Sequence, residues 1–127
     1  MPVRPNTIAK SLAIGNPADG YYAYKAVKES GGYGAHTTDE EIVEGMLLLA
    51  RTEGIFTETA GGVTLAAAKK LIEAGVIQRT ESIVICITGN GLKTPDALYD
   101  RLEAHVRIKP SLSAFDRALA DLKSHAT

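Results

Sequence analysis

The run Ser82-Ile83-Val84-Ile85-Cys86-Ile87-Thr88 limits what this chain can fold into more than any other stretch. It is β-branched, apolar and continuous. A strand with one wet face alternates polar and apolar residues. A run without alternation predicts a strand covered on both faces, as in a parallel sheet between layers of helices. The run stops at a hydroxyl, Thr88, and passes into Gly89-Asn90-Gly91. Thr94-Pro95-Asp96 then predicts the opening of a helix. Such a junction is either a bare connection or one wall of a ligand site.

The rest of the chain alternates in the same way. Asn16-Pro17 predicts a helix start, with Asn16 as cap and Pro17 in the first turn, running over 17–30 to Gly31-Gly32. Residues 33–38 and 55–58 are short strand candidates. Thr38 and Glu41 fit a capping box. The helix behind it, 39–53, places Ile42, Met46 and Leu49 on one line and Val43, Leu47 and Ala50 on the next, and Gly54 ends it. Residues 59–75 predict a third helix, closed by Gly75, whose Ala-rich first half implies close packing on a sheet. Thr94-Pro95 begins another helix, through about His105. The last helix follows Ser111 or Ser113 as cap.

Helices separated by short apolar strands predict βαβ units with right-handed crossovers. The expected fold class is α/β: one domain over 1–127, a partial three-layer α/β/α arrangement around a short parallel sheet. Three strands leave two edges in need of partners. The chain is therefore expected to belong to a larger sheet, or to complete one by forming a homo-oligomer.

Composition closes off other classes. A length of 127 residues suits one ordinary domain, and 45% apolar with 23% charged residues is a globular composition. The net charge of -1 gives nucleic acid no electrostatic footing. No apolar run is long enough to cross a bilayer, and the N-terminus has no signal-peptide core. The single cysteine, Cys86, excludes a disulfide framework and is expected as a buried, inert thiol. These features point to a reducing compartment, most simply the cytoplasm. The histidines His36, His105 and His125 are scattered and give no metal spacing, and no Ser, His and Asp set forms a triad.

Ligands of open α/β sheets bind outside the carboxyl ends of the strands. Three segments are expected to gather there: His36 to Thr38, Thr57 to Gly62, and Thr88 to Gly91. Each carries hydroxyls, and two carry glycines. Caps and turns account for the same residue types. Gly89 to Thr94 has neither the order of a phosphate-binding P-loop nor the third glycine of a dinucleotide fingerprint. Glu58 is the carboxylate of most interest, at a strand end with glycines after it, although a solvated glutamate is the commoner reading.

Three long motifs carry a resemblance. Ser11 to Gly32, Asp39 to Gly75 and Ile87 to Leu98, in that order, resemble the C-terminal part of the threonine synthases, within the fold-type-II pyridoxal-phosphate enzymes. The likeness runs from about Thr7 to about Phe115. It implies conversion of O-phosphohomoserine and water to threonine and phosphate, in threonine biosynthesis, with pyridoxal phosphate as electron sink. It also implies that Thr88 contacts the pyridine nitrogen, that Gly89, Asn90 and Gly91 pass beside the ring, and that Glu58 lies close to it. Ile14 to Pro17 resembles a loop on the substrate side. A hydroxyl donates one hydrogen bond to a neutral pyridine nitrogen and supplies no counter-charge.

Two departures stand out. Thr59 occupies a position where the family usually has proline, and it is expected to cap the helix that follows. The family's cofactor-bonding lysine and phosphate-holding loop lie upstream of the matched region. Lys93 is the lysine nearest the site, at a position where the family has a lysine that is not its base, so no catalytic residue is assigned. The expectation is a fragment that supplies the ring side of a cofactor site and is inactive alone, from a truncated or split gene, with an N-terminal segment or subunit as partner. The alternative is a stand-alone, non-catalytic oligomeric binding or assembly module. A self-sufficient enzyme of new chemistry ranks last, because no base with a credible neighbour can be named.

Overall fold

The computed structural model describes residues 2–102 and 106–124. Four α-helices follow one another: α1 (Gly20–Glu29), α2 (Asp39–Glu53), α3 (Thr59–Glu73) and α4 (Leu112–Ser124). Short 3-10 turns cover Lys10–Leu12, Gly91–Lys93 and Pro95–Arg101.

The centre of the molecule is the pair α2 and α3. The capping box forms as the spacing predicts: the Thr38 hydroxyl accepts from the Glu41 N–H at 3.3 Å, and the Glu41 carboxylate accepts from the Thr38 N–H at 2.7 Å. Three acids, Asp39, Glu40 and Glu41, fill the first turn, where the helix dipole favours negative charge. Gly54 closes α2 at a φ of 67°, a left-handed conformation that costs glycine nothing. Gly31 and Gly75, also at positive φ, do the same after α1 and α3.

The apolar stripe of α2 is buried as its period requires. Ile42, Val43, Met46 and Leu49 are all buried, with Met46 at 0% exposure. Gly45 and Gly62 let α2 and α3 meet almost backbone to backbone. Ala9 and Leu98 complete the core, with Ile8, Leu47, Val63 and Ala97 packed around it. The N-terminal segment and the 95–101 turn thus both lie on α2. Polar ties hold them. Asp39 accepts from the Thr7 hydroxyl at 2.6 Å and from the Ile8 N–H at 3.2 Å. Arg101 bonds Glu40 and, at 3.1 Å, Glu44.

The sheet is where the sequence-based expectation fails. Among the described residues there is no strand. An isolated antiparallel β-bridge joins Thr57 and Asn90. Residues 33–38, 55–58 and 82–88 run without regular secondary structure, apart from that bridge at Thr57. No backbone hydrogen bond among the described residues involves 82–88. Val84 is 89% exposed, and Cys86 is exposed rather than buried. A helix satisfies its own N–H and C=O groups, whereas a strand needs neighbours beside it. Helical periodicity therefore carried through into structure, and the strand signal did not.

Smaller corrections concern helix ends. α1 begins at Gly20, after Asp19, and not at Pro17. The helix expected from Pro95 is a 3-10 turn, and its expected end at 103–105 lies outside the described residues, as does His125. α4 starts where Ser111 predicts, with the Ser111 hydroxyl accepting from the Ala114 N–H at 3.3 Å. No described helix is long and apolar enough to cross a membrane.

Candidate functional site

Two of the three segments expected to converge do so. Residues 56–59 and 89–94 are bonded to each other along their length. The Glu58 N–H donates to the Gly89 carbonyl at 3.1 Å, and the Thr57 hydroxyl donates to the same oxygen at 3.1 Å. The Gly91 N–H donates to the Phe56 carbonyl at 3.0 Å. The Thr59 N–H, at the first position of α3, donates to the Thr94 hydroxyl at 3.2 Å. The third segment, 36–38, lies elsewhere. The His36 carbonyl accepts from Lys70 at 2.9 Å, and Lys70 belongs to the last turns of α3.

The glycines of the junction serve close packing. A Cβ on Gly89 would sit 1.8 Å from Glu58 Oε1, and one on Gly91 would sit 2.4 Å from the Phe56 ring. Neither glycine has a positive φ, so space decides their identity. Asn90 is exposed, and its side-chain oxygen accepts from the Leu92 N–H at 2.9 Å, capping the short 3-10 turn.

Glu58 is not a solvated glutamate. It is 5% exposed, and its carboxylate accepts from Lys93 Nζ at 2.9 Å. Burying a carboxylate is costly unless it is paired, and Lys93 meets that need. Glu58 occupies the N-cap position of α3, but its side chain makes no cap bond. Thr59 does not cap α3 either. It is the first helical residue, fully buried, and its hydroxyl has no partner among the described residues. The capping contact at the Thr59 N–H comes across space from Thr94. Thr94 also opens the 3-10 turn Pro95–Arg101, and its side chain makes no cap bond there. The spacing between residues 59 and 94 carries no signal that would have exposed this.

Thr88 is exposed, and its hydroxyl makes no hydrogen bond to the described residues. It directly precedes Gly89, whose Cα lies against the Glu58 carboxylate. The expected site residues Glu58, Gly89, Asn90 and Gly91 thus form one contact cluster with Thr88 at its edge. The loop at Ile14 to Pro17 is separate. Its Gly15 faces Val3, with the Val3 N–H donating to the Gly15 carbonyl at 3.1 Å.

Away from this cluster, a groove between α2 and α3 has a floor of Leu48, Leu65 and Ala66 and a charged rim. Six of its seven charges pair within the groove, Glu41 with Lys70, Glu44 with Arg51, and Glu73 with Lys69, and Glu40 pairs with Arg101 outside it. It contains none of the junction residues.

Comparison with known proteins identifies the family. The family model described as pyridoxal-phosphate dependent enzyme matches residues 1–89, a span that holds Glu58, Thr88 and Gly89. The chain is 47% identical over 118 residues to the threonine synthase of Methanocaldococcus jannaschii, covering 93% of this chain and 29% of that protein. It is 46% identical over 92 residues to the threonine synthase of a Bacillus species, covering 72% of this chain and 26% of that protein. It is 38% identical over 115 residues to that of Methanosarcina acetivorans, covering 91% and 28%. The chain thus spans less than a third of the length of these relatives. The fold-type-II family is α/β, so the class holds at the level of the family while the short parallel sheet is not formed among the described residues. With a family match over most of its length, the chain belongs to the pyridoxal-phosphate dependent enzymes, and pyridoxal phosphate is the family's cofactor.

Proposed function

We propose that the chain is the C-terminal segment of a threonine synthase, and that residues 1–127 act as one domain supplying the wall beside the cofactor ring. The carrying observation is the junction itself: Glu58 bonds to and packs against Gly89, and Thr88, exposed and with its hydroxyl unused among the described residues, directly precedes that glycine.

The residues fit one edge of pyridoxal phosphate. Thr88 would hold the pyridine nitrogen by donating its hydroxyl hydrogen, and a neutral hydroxyl leaves that nitrogen unprotonated. Glu58 and Phe56 would support the turn from behind. When bound, pyridoxal phosphate supplies the electron sink for a carbanion formed on the substrate. The lysine nearest the wall, Lys93, is committed to Glu58. The covalent anchor and the phosphate-binding loop are therefore assigned to protein outside this segment, and the segment alone is assigned no turnover. The substrate of the assembled enzyme is O-phosphohomoserine, its products are threonine and phosphate, and its setting is cytoplasmic threonine biosynthesis.

A chimera tests the reading. This chain replaces the matching segment of the Methanocaldococcus jannaschii threonine synthase. Threonine formation by the chimera, with none by this chain alone, is the expected result. A folded chimera that holds cofactor and makes no threonine counts against it, as does turnover by the isolated chain.

One observation favours a second reading, a non-catalytic module that self-associates. α1 buries none of its residues, and Tyr21, Tyr22, Tyr24 and Val27 are all exposed on it. Exposed apolar surface of this kind favours association. Light scattering separates the two: a monodisperse monomer removes the oligomeric module.

A further inference from the structure

We propose that Lys93 is a positioning residue for the cofactor wall: its ammonium holds the Glu58 carboxylate against Gly89, and so fixes the turn that follows Thr88. The proposal rests on reading this junction as the ring-side wall.

The geometry closes a small loop. The Glu58 N–H donates to the Gly89 carbonyl at 3.1 Å, while Lys93 Nζ donates to the Glu58 carboxylate at 2.9 Å. Lys93 ends the 3-10 turn Gly91–Lys93 that begins just after Gly89. Both ends of the 89–93 turn are therefore tied to one buried glutamate. The missing Cβ of Gly89 is what lets the carboxylate lie there.

The two partners are unequal. The Glu58 side chain is 6% exposed and the Lys93 side chain 60%. Removing the Lys93 charge leaves no buried cation behind, but it leaves a buried carboxylate without its counter-charge. Such a group turns out to water. That movement frees the turn. Among the described residues, Lys93 is the charged group paired with Glu58. The next acid on that side, Asp96, is paired with Lys10 at 3.3 Å.

Two measurements test this. In the first, the Glu58, Gly89 and Gly91 amides of the full chain are followed by NMR. Lys93→Met is expected to shift these signals and to speed their hydrogen exchange by about tenfold or more, and Lys93→Arg is expected to restore them. Unchanged signals and exchange in Lys93→Met overturn the proposal. In the second, cofactor affinity of the chimera is measured. Lys93→Met is expected to weaken it by about tenfold, as loss of a contact behind a ligand-holding group does elsewhere. Adding Glu58→Gln is expected to cost nothing more, because the two residues act as one unit. Independent, additive losses overturn the proposal. A chimera that holds no cofactor at all sinks the ring-wall reading instead, while amide exchange at Gly89 in the chain alone still decides whether Lys93 fixes the turn.

Discussion

The carbonyl oxygen of Gly62 lies 2.7 Å from the point that a Cβ on Gly45 would occupy. From the other side, a Cβ on Gly62 would come within 2.5 Å of the Ile42 carbonyl oxygen. The obstructing atoms are backbone and cannot swing aside. Alanine at position 45 would improve helix propensity by up to about 1 kcal/mol. Overpacking at such a contact costs about 1–3 kcal/mol. The clash is the larger effect. Gly45→Ala and Gly62→Ala are each expected to lower stability in urea unfolding, and a stabilised variant would show that the helices part freely.

The junction makes a coupled prediction. Alanine at 89 collides with the Glu58 carboxylate, so Gly89→Ala is expected to cost about 1–3 kcal/mol. φ at Gly89 is not positive, and the three atoms nearest to the added Cβ all belong to the Glu58 side chain. Glu58→Ala removes it. In a double-mutant cycle, Gly89→Ala is expected to be nearly neutral in the Glu58→Ala background. Equal costs in both backgrounds would assign the glycine to backbone conformation.

The cap of α2 predicts a local effect. Thr38→Ala removes the acceptor for the Glu41 N–H and is expected to cost about 1 kcal/mol. Thr38→Ser keeps the oxygen and is expected to cost much less. Chemical denaturation of both variants checks the order.

Glu41 also predicts a pH dependence. Its carboxyl is held below the ordinary glutamate range, first by the hydrogen bond from Lys70 and then by that from the Thr38 N–H. A group with a depressed folded-state pKa contributes stability above its unfolded value, and the contribution disappears as pH falls through the folded value. Glu41→Gln is therefore expected to be less stable than the parent at neutral pH. The two stability curves are expected to converge below the ordinary glutamate range. Curves that stay parallel to acid pH would remove Glu41 from the linkage.

The stretch at 82–88 predicts open chemistry. Cys86 is expected to react with a soluble disulfide reagent one-to-one, at a rate near that of the unfolded chain. Its neighbouring amides are expected to exchange rapidly, while those of α2 are protected. A protected 82–88 stretch in the isolated chain would mean that it finds strand partners, for instance across a dimer.

Sequence alone determined the elements whose bonds are local. Thr38 with Glu41, the stripe Ile42-Val43-Met46-Leu49, and the left-handed exits at Gly31, Gly54 and Gly75 were all legible, because a helix and its caps are closed within a few residues of chain. The order of long motifs was legible too, and with it the family. Tertiary structure decided what depends on partners far apart in the chain. It gave Thr94 to α3 as a cap, buried Glu58 against Lys93, and placed Phe56 where a Gly91 side chain would be. It also left Ser82 to Thr88 without strand partners among the described residues. Strand residues state only a readiness to pair, and a hydrogen bond across tens of residues exists only when the fold brings its other half alongside.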